Sequence, residues 1–164
     1  MAIKDGLLSE YDHEIATTRR LFERLPDDKL SWKPHEKSMS LGGLATHVAN
    51  LPNWASFIFE APFFDLALAP PNLEARGSRA ELLQFLDDSS RRGRAALERG
   101  ADVEYGAMWT LKRGTQEIFS LPRIAALRSF VVSHLIHHRG QLSVYLRLID
   151  VPVPSIYGPT ADEG

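Results

Sequence analysis

The chain has 164 residues, 44% of them hydrophobic and 24% charged, with 19 Lys and Arg against 21 Asp and Glu for a formal charge of -2. One domain can bury its core at this length, and the composition is that of a globular rather than a disordered chain. The near-neutral balance argues against a sequence-independent nucleic-acid binder, and the absence of cysteine excludes disulfides, Cys-ligated zinc and a protein thiol nucleophile.

No segment approaches the roughly 18 consecutive apolar residues of a membrane span. Met1 to Phe22 carries Asp5, Glu10, Asp12 and Glu14 and lacks the apolar run of a signal peptide, so a soluble cytoplasmic protein is expected.

In chain order, a first helix is predicted from about Asp5 to Leu25, with Leu8, Ile15, Leu21, Phe22 and Leu25 near helical spacing. Pro26-Asp27-Asp28 breaks it, and Trp32 to Met39 reads as loop. A second helix opens at Ser40, a suitable N-cap, and runs towards Phe59; Pro52 inside it predicts a kink or an early end. Ala61 to Gly77, with Pro62, Pro70 and Pro71, reads as an irregular connection. A third helix spans Ser78 to Gly100, the glycine standing where a helix C-cap is expected. Tyr105 to Thr110 and Gln116 to Phe119 read as short strands or loop. The longest helical pattern, Leu121 to Ile149, opens with Pro122 in its first turn and stops before a Pro-rich, extended tail. Four amphipathic helices predict one all-α domain over residues 1–164, an antiparallel four-helix bundle with long connections.

The chemistry lies in the histidines. His134 and His138 sit one turn apart and about 40° apart around the longest helix, so two imidazoles can converge on one ion. Leu127, Val131, Gln141 and Tyr145 share that face, which therefore points into the bundle. His137, at i,i+3 from His134, competes with His138 for this role. His47 offers a third ligand from an apolar face of the second helix, beside Leu44, Val48 and Leu51. Three neutral imidazoles leave coordination positions open, the mark of a catalytic rather than a structural site. Histidines on apolar faces also serve as hydrogen-bonded core residues, and spacing alone does not separate the two uses. His13 and His35 read as surface or capping residues. Position 135 is Leu, and no acidic residue lies between Ile118 and Ile149, so the His-Glu-x-x-His pattern of a metallopeptidase is absent.

Arg123, Arg128, Arg139 and Arg147 share the last helix with no carboxylate among them. Arg128 and Arg147 are expected to pair with acids on other helices, such as Asp87, Asp88 or Glu98. Arg139, next to His138, is expected to act as a structural clamp or an anion contact. Arg91-Arg92-Gly93-Arg94 reads as a solvated helix face. Gly140 in mid-helix suggests close approach of another group. Tyr145 either presents its hydroxyl to the site or packs.

His134-Leu-Ile-His-His-Arg-Gly-Gln-Leu, followed by Tyr145-Leu-Arg-Leu-Ile, Val153-Pro154, Tyr157-Gly158 and Asp162-Glu163, resembles the C-terminal signature of the DinB/YfiT-like family. Ser40-Leu-Gly-Gly-Leu-Ala-Thr-His47 is similar to that family's second-helix segment. The family takes its name from DNA-damage-inducible proteins and is unrelated to the lesion-bypass polymerase. The resemblance implies a four-helix bundle, usually a homodimer, holding a divalent metal, zinc or nickel, on His47, His134 and His138, with His137 as a neighbour. Relatives are similar to transferases using a low-molecular-weight thiol such as bacillithiol, mycothiol or glutathione; others resemble maleylpyruvate isomerases.

The expected function is therefore a metal-dependent transferase that activates a thiol cosubstrate, with Arg139 and Tyr145 binding or orienting it. A metal-dependent hydrolase and a non-catalytic, metal-binding stress protein are the alternatives.

Overall fold

The computed structural model describes residues 2–69 and 73–164. Pro70 and Pro71, part of the expected irregular connection, lie outside the described residues.

Helix α1 (Ile3–Phe22) carries Asp5 in its first turn, whose carboxylate accepts the Ala2 N–H at 3.0 Å, and Arg19 and Arg20 in its last. These charges oppose the helix dipole at both ends. The expected second helix is two: α2 (Leu41–Asn50) and α3 (Asn53–Glu60), parted at Leu51-Pro52 because Pro52 has no N–H to continue the ladder. Ser40 caps α2 as anticipated, its Oγ accepting the Gly43 N–H at 3.1 Å. Helix α4 (Arg79–Arg99) is capped in the same way by Ser78.

The all-α expectation is overturned by a three-stranded mixed sheet, and an all-α four-helix bundle does not describe the fold. Strands β1 (Phe63–Asp65), β2 (Met108–Arg113) and β3 (Gln116–Pro122) lie in that order. β2 and β3 form an antiparallel hairpin turned at Gly114-Thr115, where Gly114 adopts φ +61°, a conformation glycine takes without steric cost. β1 pairs parallel with β2, after a connection that includes α4. Asp65 ties the two segments together: its Oδ1 accepts the N–H groups of Ala67 (2.9 Å) and Gly114 (2.8 Å). Those bonds hold its carboxyl below the usual range. The short helix α5 (Asp102–Gly106) leads into β2.

The last helical stretch also differs from a single continuous α-helix. A turn, α6 (Arg123–Ala126), passes into a π-helical segment, Leu127–Ser133, and then into α7 (His134–Leu148). The site histidines begin where the π-segment ends, and such segments recur at functional sites.

The core has two parts. One joins Leu21, Phe22, Leu25, Leu44, Val48, Leu86, Leu135, Leu142 and Leu146, where α1, α2, α4 and α7 meet. The other places Trp109 and Leu111 of β2 against Leu127 and Val131, with Tyr11, Ile58 and Tyr105.

Two glycines mark close approach, and Gly140 is not one of them. Gly140 is exposed, and an added Cβ would meet nothing within 4 Å. At Gly93 a Cβ would run into the Pro52 carbonyl oxygen and the Tyr11 hydroxyl, so α4 presses on the α2–α3 break there. The Arg91–Arg94 run is accordingly no simple solvated face: Gly93 is buried, Arg92 Nε donates to Asn53 Oδ1, and Arg94 pairs with Asp12. Gly100 ends α4 with φ -60°, not as a left-handed cap; its missing Cβ makes room for Phe59 and Tyr105.

Candidate metal centre

Two elements far apart in sequence bring three imidazoles together. α2 presents His47 and the start of α7 presents His134 and His138. His134 Nε2 lies 2.9 Å from His138 Nε2 and 3.4 Å from His47 Nε2. Each of the three residues offers a ring nitrogen within 4.8 Å of the others. Nitrogens bound tetrahedrally at zinc distances stand about 3.3 Å apart, so these separations fit one shared ion.

The opposite ring nitrogens explain the orientation. His138 Nδ1 faces Gln141 Oε1 at 2.7 Å, and His134 Nδ1 faces the Phe130 carbonyl at 3.3 Å. Phe130 O is the usual i−4 acceptor for the His134 N–H, but that N–H bonds Val131 O as the π-segment closes, and the imidazole meets the Phe130 carbonyl. A proton on Nδ1 satisfies both acceptors and leaves Nε2 as a lone pair aimed at the shared centre, the arrangement of metal-ligating histidines.

The electrostatics favour the neutral form of these rings. Burial, reinforced by His138 and His134, pushes His47 down to about 4. Burial likewise lowers His134 and His138, with His138 adding to the first shift and His137 to both. Neutral imidazole is the form that donates a lone pair to a cation.

His137 falls outside the cluster. It is exposed, its ring 4.8 Å from that of His138 and roughly perpendicular to it. His35 is exposed and accepts the Lys37 N–H on Nδ1; His13 is exposed and stacks near Tyr157. Tyr145 is half-buried and meets the edge of Trp32 at 5.7 Å.

The structure places the Arg139 guanidinium away from the imidazoles, in a cluster of its own. It pairs with Glu14 at 2.6 Å and donates to the Glu14 carbonyl, to Thr18 Oγ1 and to the Tyr157 hydroxyl. Tyr157 in turn donates to Glu14 Oε2 at 2.8 Å. These contacts clamp α7 to α1 and to the C-terminal tail. Arg128 pairs with Glu10 of α1, an acid on another helix as expected, whereas Arg147 pairs with Asp162 of the C-terminal tail. Arg123 donates to the Ile58 carbonyl. Sequence reasoning missed Glu14 and Asn50, the latter bonded to Asn53 one turn beyond His47; a lone acid on an amphipathic helix gives no signal until its partner is known.

Residues 3–164 match the sequence model of the DinB family. The chain belongs to the DinB family. It is 25% identical over 163 residues to the uncharacterized protein YrdA of Bacillus subtilis (strain 168), covering 97% of this chain and 90% of that one. Its fold is similar to that of a DinB-like protein from Bacillus cereus ATCC 10987, with a TM-score of 0.72 at 20% identity, covering 93% of this chain and 97% of the other. It is similar again to the DinB-like protein YjoA of Bacillus subtilis, with a TM-score of 0.71 at 22% identity over 94% and 99% of the two chains. In this DinB-family chain the three histidines form a group able to hold a metal ion. No helix among the described residues is long and apolar enough to cross a membrane.

Proposed function

We propose that this protein is a metal-dependent transferase in which His47, His134 and His138 hold one divalent ion, zinc or nickel, that activates a low-molecular-weight thiol. The observation that carries the reading is the convergence of three imidazole nitrogens within 4.8 Å, two of them with the far side of the ring facing an acceptor. A divalent ion held there would act as a Lewis acid, lowering the pKa of a thiol presented to it.

The chain's own residues do the rest. Burial favours the unprotonated form of all three rings, the form that binds a cation. Three protein ligands leave room for an incoming group. Since the chain has no cysteine, the sulfur comes with the cosubstrate. The thiol proton passes to water. The sulfur then attacks an electrophilic carbon, forming a C–S bond as the bond to the leaving group breaks and its electron pair departs with that group.

The test is thiol dependence. With the metal bound, consumption of a chlorinated or epoxide electrophile is expected only when a low-molecular-weight thiol is added, and loss of activity is expected in His134→Ala. Turnover that is indifferent to thiol contradicts the transferase and favours hydrolysis. The reading extends to a cytoplasmic homodimer; sedimentation at micromolar concentration that finds only an 18.4 kDa species contradicts the dimer.

A further inference from the structure

A cleft of about 490 Å³ opens beside His47, which among its described lining residues is the one member of the histidine group and so its link to that centre. Ser40, the cap of α2, and Gly43, His47 and Asn50 of the helix, spaced three or four residues apart, line it as one stripe. Met39 and Leu73 add apolar wall, and Lys33 is the one ionised side chain among the described lining residues. Lys33 follows Trp32, whose carbonyl accepts the Leu41 N–H at 2.9 Å, so the ammonium belongs to the N-terminal end of α2. The free N–H groups of that end already have partners: Leu41 bonds Trp32 O, Gly42 bonds Leu30 O and Gly43 bonds Ser40 Oγ. The positive charge at this end of the cleft is therefore the lysine's and not that of the helix terminus.

The other end is polar in one sense only. Arg92 Nε, which can only donate, fixes Asn53 Oδ1 as its acceptor at 3.0 Å. Asn53 Nδ2 must then donate to Asn50 Oδ1, at 2.9 Å. That bond turns the Asn50 amide so that Nδ2 remains to donate, and Asn50 lines the cleft one turn beyond His47. A cation at one end, a donor at the other, apolar wall and no carboxylate among the described lining residues suit an elongated molecule with an anionic oxygen group.

We propose that this cleft is the binding subsite for the thiol cosubstrate, that the cosubstrate carries a carboxylate, and that Lys33 holds that carboxylate while the sulfur lies at the histidine centre. Ser40 and His47 are seven residues apart on α2, about 10 Å along its axis, so the carboxylate and the sulfur are separated by a comparable span. The volume lies within the usual range for small-molecule sites. This inference rests on the metal-site reading above and adds the chemical class of the ligand.

The test uses the full-length protein loaded with cobalt(II), whose visible bands report both metal uptake and sulfur ligation. It is titrated with an eight-carbon ω-mercapto acid and with the ω-mercapto alcohol of the same length. The acid is expected to bind at least about tenfold more tightly, Lys33→Met to abolish that preference, and Lys33→Arg to keep most of it. A three-carbon mercapto acid, too short to span the cleft, is expected to show no advantage over its alcohol. Cobalt uptake with equal affinities for the long acid and alcohol, or a preference that survives Lys33→Met, overturns the subsite and leaves the metal reading standing. No cobalt bands at all overturn the metal reading, and the subsite with it.

Discussion

Helix α7 carries two polar clusters on adjacent residues, and they are built on opposite terms. Arg139 is 1% exposed, and its charge is met by Glu14, by the Glu14 carbonyl, by Thr18 and by Tyr157. His138, one residue earlier, is half-buried and turns Nε2 towards two other imidazoles. The first cluster is complete within the chain. The second is a group that could hold a metal ion. A buried polar group satisfied by its own protein holds a fold together, whereas three ring nitrogens converging from separate helices can serve as a place for a metal ion.

The largest effect is expected at Arg139. Arg139→Ala leaves the Glu14 carboxylate buried without its partner, and about 3–5 kcal/mol of unfolding free energy is expected to be lost. Urea denaturation measures this, and a loss below about 1 kcal/mol would show that the cluster is not a clamp. Replacing the pair together, Glu14→Leu with Arg139→Met, is expected to recover most of the loss, because no uncompensated charge remains.

The histidine centre responds to ligand instead. Zinc or nickel at a hundred times its dissociation constant is expected to stabilise the folded protein by about 2.7 kcal/mol, read as a rise in Tm. His134→Leu is expected to abolish that rise while costing the metal-free protein only about 0.5–1.5 kcal/mol, since the substitution removes hydrogen bonds of a half-buried neutral ring and not one partner of a buried ion pair. A metal-free His134→Leu protein as damaged as Arg139→Ala would mean that the imidazoles are structural.

The pH dependence follows from His47. Its folded value of about 4 lies below the ordinary 6.5, so between those values the unfolded chain binds more protons than the folded one. Stability of the metal-free protein is expected to be full above about 6.5 and to fall as pH drops towards 4, measured as Tm against pH. In His47→Leu this part of the slope is expected to disappear. The smallest effect is expected at Gly140, which lies next to Arg139 but faces solvent: Gly140→Ala is expected to gain about 0.5–1 kcal/mol and to disturb neither cluster.

The sequence carries the histidine site more openly than it carries the fold. His134 and His138 are written at the spacing of one helical turn, and His47 stands on an apolar face, so their meeting needs only that α2 and α7 pack together. The strands are harder to read because their pairing is non-local. Phe63–Asp65 has three residues beside a proline, too few for an alternating pattern, and finds its partner, Thr110 to Lys112, only after α4. In β3 the exposed Gln116, Glu117 and Ile118 give way to four half-buried residues with no alternation. Gly140 and Gly93 make the same point about packing. Each interrupts a helical pattern, but only Gly93 lies against another segment, and that depends on where Pro52 and Tyr11 come to rest.

The central claim is that His47, His134 and His138 hold a metal ion while their neighbour His137 does not. Metal content of the untagged protein, measured by inductively coupled plasma mass spectrometry beside single alanine variants of all four histidines, tests it most directly. The account predicts about one equivalent of zinc or nickel per chain, retained in His137→Ala and sharply reduced in the other three variants. A parent protein that stays near zero after being offered each metal, or a His137→Ala variant that loses its metal while His138→Ala keeps it, would contradict the account.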